Sequence, residues 1–245
     1  MKKTNLDELL FKEGEVLLLD KPLEWTSFDV VAKVRNLIRK KEGKVKVGHA
    51  GTLDPLATGL LILCTGKKTK TIEAYQAQQK EYTGEITLGA TTPSFDAETE
   101  VDQTFDIAHI DKSLIKETVQ RFVGDIDQIP PMFSAVKVDG KRLYKHARKG
   151  QVVEIDPRKI TIHAFEITDI TLPTLRFRVV CSKGTYIRSL ARDFGKAMNA
   201  GAYLSELRRT KIGDFDVNNA YTVEEFATLF EHLQTPEKGA SDAKN

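Results

Sequence analysis

Strand-period and helix-period hydrophobic segments interleave along this chain without strict alternation, and that order constrains its fold more than any other feature. Lys80–Leu88 reads as a half-buried strand, with Tyr82, Ile86 and Leu88 on one face and Glu81, Thr83, Glu85 and Thr87 on the other. Glu15–Asp20 and Leu60–Cys64 are short apolar runs that read as buried strands. Ile160–Ile170 and Leu175–Cys181 read as further strands, with shorter ones at Leu204–Arg208 and Phe215–Val217 and an extended piece at Val45–Val47. Between them lie helical stripes. Thr26 and Asp29 form a capping box ahead of Val30, Val34, Leu37 and Ile38, with Gly43 as the stop. Leu114, Ile115, Val119 and Phe122 predict a second helix ending at Gly124. Ile187, Leu190, Ala191, Phe194 and Met198 predict a third. Thr222 and Glu225 cap a last one through Val223, Phe226, Phe230 and Leu233. A doubly wound parallel sheet needs regular βα alternation, so this order predicts an α+β fold with a mixed sheet.

The 245 residues are 40% hydrophobic, enough to bury one large domain or two small ones. No internal repeat or low-complexity linker divides them. The expectation is one domain over residues 1–234, with an inserted arm at about 124–153 and a polar, disordered tail at 235–245. No stretch approaches the ~20 apolar residues of a membrane helix, and the N-terminus lacks the apolar core of a secretory signal. Cys64 and Cys181 lie far apart, with no spacing that suggests zinc, and are expected to be buried, reduced thiols in a cytoplasm. Net charge is +2, yet cations cluster: six Lys/Arg in Lys137–Lys149, five in Arg176–Arg192, then Arg208-Arg209-Thr210-Lys211. Such clusters are expected to form a cationic face suited to phosphates.

Gly48–Gly59, GHAGTLDPLATG, predicts a loop with unusual backbone freedom around a lone acid, Asp54. Pro55 biases Asp54 towards an extended conformation, so the carboxylate is positioned rather than floppy. The loop has neither GxxxxGK[ST] nor GxGxxG, and the chain shows no GxSxG elbow.

GHAGTLDPLATGLL resembles the active-site motif of the bacterial tRNA pseudouridine-55 synthases, the TruB family. Five further motifs of that family match in order: Asp20-Lys21-Pro22 with Thr26-Ser27, Lys80-Glu81-Tyr82, PPMFSAVKVDGKRLYKHAR from Pro130 to Arg148, CSKGTYIRSL from Cys181 to Leu190, and Leu204–Phe215. Glu24 stands where the family usually has glycine, a departure that bears on the local backbone geometry and is expected to be tolerated because Lys21 and Pro22 remain. The chain also resembles a short form without the extra C-terminal RNA-binding domain.

The resemblance implies the pseudouridine synthase fold, a mixed, mainly antiparallel central sheet flanked by helices. It implies isomerisation of the T-loop uridine at tRNA position 55 after base flipping. That reaction breaks the N1–C1′ bond, turns the uracil and forms a C5–C1′ bond. Nothing is oxidised and no group is imported, so neither cofactor nor metal is expected. Asp54 is the implied catalytic carboxylate, Arg188 the cation that pairs with it, and Tyr82 the ring against the uracil. His49, Tyr186 and Leu207 are implied substrate contacts, and Lys21 a structural residue orienting the loop. Lys137, Lys141, Arg142, Lys145, Arg148 and Arg208 are expected on the RNA backbone. The expected partner is the T stem-loop of tRNA, met by a cytoplasmic monomer with no obligatory protein partner. A non-catalytic tRNA-folding module is the competing reading; it would have no use for an intact Asp54. A glycosidase would pair two carboxylates, and no partner for Asp54 stands out.

Overall fold

The computed structural model describes residues 8–134, 137–138, 141–143 and 153–232. In chain order the elements are β1 (Val16–Lys21), α1 (Ser27–Glu42), β2 (Val47–His49), β3 (Ala57–Thr65), α2 (Ile72–Ala77), β4 (Lys80–Leu88), β5 (Ala90–Thr91) and β6 (Gln103–Thr104). There follow α3 (Lys112–Arg121), β7 (Gly124–Gln128), β8 (Lys137–Val138), β9 (Lys141–Arg142), β10 (Arg158–Thr171), β11 (Thr174–Cys181), α4 (Ile187–Ala197), β12 (Ala202–Ile212), β13 (Phe215–Asp216), β14 (Tyr221–Thr222) and α5 (Val223–His232). The chain divides into two compact units, Met1–Gln76 with Phe215–Asn245, and Ala77–Asp214.

In the first unit β1 runs antiparallel to β3, from Val16 opposite Cys64 to Lys21 opposite Gly59, and parallel to β14. Alternation along β1 puts Leu17, Leu19 and Lys21 on its buried face. The capping box of α1 forms as its sequence predicts, and Gly43 ends the helix at φ 76°. Val30, Val34, Leu37 and Ile38 pack with Leu17, Leu19, Leu61, Leu63, Phe226 and Phe230. Phe226 and Phe230 are fully buried, and truncating either to alanine is worth about 3–5 kcal/mol. Thr222 and Glu225 cap α5 reciprocally, at 3.0 and 2.9 Å.

In the second unit β12, β4, β11, β10 and β7 pair in that order, each antiparallel to the next. Phe165 meets Phe177 and Phe194 edge-on, and Phe194 also meets Phe122, locking α4 over the sheet. β12 is eleven residues long, against five expected, because register shifts after Leu204 and after Arg209 break the period-two signal. β3 likewise starts at Ala57, inside the expected loop, because Ala57, Thr58 and Gly59 carry little apolar signal.

The sheet also gives several of the clustered cations acidic neighbours. Arg176 and Arg178 have no acid nearby in sequence, but β4 brings Glu85 and Glu81 across to them, at 3.7 and 2.6 Å. Glu81 also binds Thr210 at 2.9 Å, with Lys211 at 4.0 Å. Burial would raise the Glu81 carboxyl, but hydrogen bonds from Thr210 and Arg178 and the charge of Arg178 hold it below the usual carboxylate range. Arg209 is buried. Arg178 and Arg209 are therefore held within the fold, whereas the Arg176 side chain, 66% exposed, stays at the surface with Glu85 beside it. Among the described residues, no helix is long and apolar enough to cross a membrane.

Candidate active site

The loop carrying Asp54 is fixed by backbone bonds from several directions. The Ser27 hydroxyl accepts from the Leu53 N–H at 2.8 Å and donates to the Leu53 carbonyl at 3.1 Å. The Ala57 N–H donates to the Asp54 carbonyl at 3.0 Å, and Ala50 to Ile62 at 2.8 Å. Lys21 is fully buried, and its ammonium donates to the carbonyls of Pro22 (2.9 Å), Trp25 (2.6 Å) and Pro55 (3.2 Å). A buried ammonium is tolerated because carbonyl oxygens replace its water shell. Leu53 is buried while Asp54 is half-buried, so the apolar side chain anchors the turn and the acid is left accessible. His49, expected inside the Gly48–Gly59 loop, closes β2 instead, opposite Leu63.

Glu24 touches the same loop through its N–H, which donates to the Pro55 carbonyl at 2.9 Å. Its φ is 66°, the left-handed conformation that glycine adopts without the Cβ penalty. The glycine usual in this motif thus has a backbone reason, and this chain carries the strain. Glu24→Gly is expected to raise unfolding free energy by about 0.5–1.5 kcal/mol with little change in rate. A urea melt measures this; a lower midpoint would contradict the strain.

The second unit holds the other residues singled out. Tyr82 is buried on β4. Leu207 of β12 stands opposite Gly84, and Arg209 opposite Tyr82, so Tyr82, Leu207 and Arg209 share one face. A Cβ on Gly84 would strike the Glu206 carbonyl, which is why β4 carries glycine there. Lys80 lies two residues along this face, donating to the Gln78 carbonyl at 2.6 Å. Burial, reinforced by the charge of Arg209, lowers its ammonium pKa to about 8. Burial likewise pushes the Cys181 thiol, opposite Lys80, up to about 11, so that thiol stays protonated. Arg208 faces the other way, half-buried, opposite Thr83.

Arg188 sits in the first turn of α4, 5% exposed. Its guanidinium lies 3.5 Å from the carboxylate of Asp96 and donates to the carbonyls of Ser94 (3.3 Å) and Phe133 (2.8 Å). Asp96 is itself buried and accepts from the Glu98 N–H at 3.0 Å. Phe95 beside it has φ 64°, a costly conformation for an aromatic residue, with the Arg192 guanidinium 4.6 Å from its ring centroid. Asp96 escaped sequence reasoning because it lies in a polar stretch that reads as loop. The signal available was the acid between Phe95 and Ala97, with Pro93 shaping the chain just before it. Tyr186, half-buried, stands at the N-cap position of α4.

Of the expected arm, β8 and β9 pair through Lys137 with Arg142 and Val138 with Lys141. Lys145 and Arg148 lie outside the described residues.

The first unit carries a rigidly held acidic loop, and the second carries a mainly antiparallel sheet with a buried tyrosine on β4 and a buried arginine at the start of α4; such residues suit an enzyme that works on a nucleic-acid base. Residues 35–187 match the TruB family pseudouridylate synthase N-terminal domain, and residues 188–239 the tRNA pseudouridylate synthase B C-terminal domain. The chain belongs to the TruB family of pseudouridylate synthases and is therefore an isomerase. It is 63% identical to tRNA pseudouridine synthase B of Flavobacterium johnsoniae over 90% of this chain and 96% of that one. It is 55% identical to the same-named protein of Phocaeicola vulgatus, over 93% and 97%. Among solved structures it resembles a chain of a Cbf5-Nop10-Gar1 complex, with TM-score 0.71 and 30% identity. That match covers 91% of this chain but only 56% of the other.

Proposed function

We propose that this enzyme converts the T-loop uridine at position 55 of tRNA to pseudouridine, with Asp54 as the essential carboxylate. The observation that carries this reading is the loop itself: Ser27, Lys21 and Glu24 over-determine the backbone around Asp54 while its side chain stays accessible. Held this way, the carboxylate meets the nucleoside without first losing the conformational freedom of a loop. The uridine is stacked in the RNA, so it is flipped out at a cost of a few kcal/mol. Tyr82 offers a ring for the extruded uracil to stack on, and Leu207 and Tyr186 complete an apolar enclosure that keeps the detached base from escaping. Arg188 is the cationic support of the carboxylate chemistry, and His49 supports the opened loop of the RNA. The relatives named tRNA pseudouridine synthase B support tRNA as the substrate. Incubation with a tRNA transcript and mass-spectrometric mapping tests the reading. One pseudouridine, in the T loop, is expected; modification elsewhere or none refutes it.

Gly124–Gln128 of the expected arm belong to the sheet as β7; the rest of the arm meets the RNA through Lys137, Lys141, Arg142, Lys145 and Arg148. Neutralising Lys137, Lys141 and Arg142 together is expected to weaken tRNA binding and to reduce the slope of log affinity against log salt by about 2–3. An unchanged slope removes the arm from the phosphate contacts.

A further inference from the structure

Gln128, the last residue of β7, is 2% exposed, and both ends of its amide grip a single residue. Its Oε1 accepts from the Tyr186 N–H at 2.8 Å, and its Nε2 donates to the Tyr186 carbonyl at 3.1 Å. Tyr186 is the N-cap of α4 and makes no side-chain cap bond of its own. Serine, threonine, aspartate or asparagine normally fills that place, because a short side-chain oxygen satisfies the open N–H groups of the first turn. A tyrosine ring cannot do so. The start of α4 is held instead from a neighbouring strand, and the following residues reinforce it. The Ile129 carbonyl accepts from the Ser189 hydroxyl at 2.8 Å and from Arg192 at 3.4 Å, while the Phe133 carbonyl accepts from Arg188.

We propose that Gln128 is a positioning residue for pseudouridine formation: its amide clamps the backbone of Tyr186 and so aims both the Tyr186 ring and the Arg188 guanidinium two residues later. The inference rests on the reading of Tyr186 and Arg188 as site residues. It relieves α4 of its usual capping residue, so that an aromatic side chain can stand at the N-cap. The clamp needs one donor and one acceptor in a planar group. An amide supplies both, an ionised carboxylate supplies only acceptors and repels the Tyr186 carbonyl, and a protonated carboxyl supplies both again.

That chemistry gives the test, using the full chain. Gln128→Met and Gln128→Glu are compared with the wild type by single-turnover rate on a tRNA transcript at saturating RNA, together with RNA Kd and melting temperature, from about pH 6 to about pH 8. Charged groups near the clamp are Asp127 beside it, Arg158 opposite it in β10, and Arg188, Arg192 and Asp193 on α4. Each is present in all three proteins, so rates are read as ratios to the wild type. Gln128→Met is expected to be slower by about tenfold or more at every pH, with Kd within about threefold. For Gln128→Glu the ratio is expected to climb by about fivefold or more as pH falls and the carboxyl regains its proton. In an Arg188→Lys background, adding Gln128→Met is expected to slow the rate by a smaller factor than in the wild type, because only the aim of Tyr186 is then left to lose. Wild-type rates for both Gln128 variants, or a pH-independent Gln128→Glu ratio, overturn the proposal; if Gln128→Met does not fold, the Gln128→Glu pH response alone decides. An Arg188→Lys enzyme at full rate would instead refute the role given to Arg188.

Discussion

Asp54→Asn protein binds tRNA as tightly as the wild type, within about threefold, and forms pseudouridine at least about ten-thousandfold more slowly. The two sides of that expectation have separate causes. Asparagine nearly matches aspartate in shape, and the bonds from Lys21, Ser27, Glu24 and Ala57 run through the loop's backbone. They survive the substitution, so the binding surface and the fold survive too. What disappears is a carboxylate able to attack or deprotonate the nucleoside, for which an amide is no substitute. Quantitative mass spectrometry of a single-turnover time course, beside a binding titration and a thermal melt, measures all three quantities. Equal product from both proteins would dismiss Asp54 from the chemistry. A protein that neither binds nor melts normally would show that the carboxylate serves the fold instead. The same experiment separates an isomerase from a tRNA-folding module, because folding RNA requires the surface and not the acid.

Asp96→Ala is the second large expected effect. Asp96 and Arg188 are both buried, with side chains 8% and 6% exposed, and their charged atoms lie 3.5 Å apart. Removing one partner of a buried pair costs about 3–5 kcal/mol, most of it from the charge left behind. The Glu98 N–H loses its acceptor as well. Asp96, Ser94 and Phe133 all hold the Arg188 guanidinium, so losing the charged Asp96 loosens its placement. A fall in rate of about a hundredfold is expected to accompany the loss of stability. Asp96→Asn keeps an oxygen for Glu98 but not the charge, and is expected to fall between the two. Urea melts and single-turnover rates report both effects. Stability within about 1 kcal/mol of wild type, with an unchanged rate, would mean that the pair contributes nothing.

Much of the local structure was legible in the chain. The capping boxes at Thr26 and Thr222, the Gly43 stop and the alternation of Lys80–Leu88 are short-range signals, decided within one helical turn or a few strand residues. The structure has each where its pattern puts it. The motifs also carried the family, because six of them fall in order along the chain from Asp20 to Phe215. Other features were not legible. The bulges of β12 hid most of that strand, and the cations of β11 and β12 read as a surface until Glu81 and Glu85 met them across the sheet. Asp96 lay in a stretch that looked like loop, and nothing in sequence ties position 96 to position 188.

The division has one physical reason. Caps, turn glycines, hydrophobic period and an acid placed before a proline depend on neighbours along the chain, so the sequence by itself determined the strongly patterned helices and strands and the loop that bears Asp54. The clamp of Gln128 on Tyr186, the carboxylate beside Arg188 and the left-handed strain at Glu24 depend on atoms brought together from 31 to 92 positions apart. Only tertiary structure decided those, because strand register, not sequence distance, chooses which groups meet.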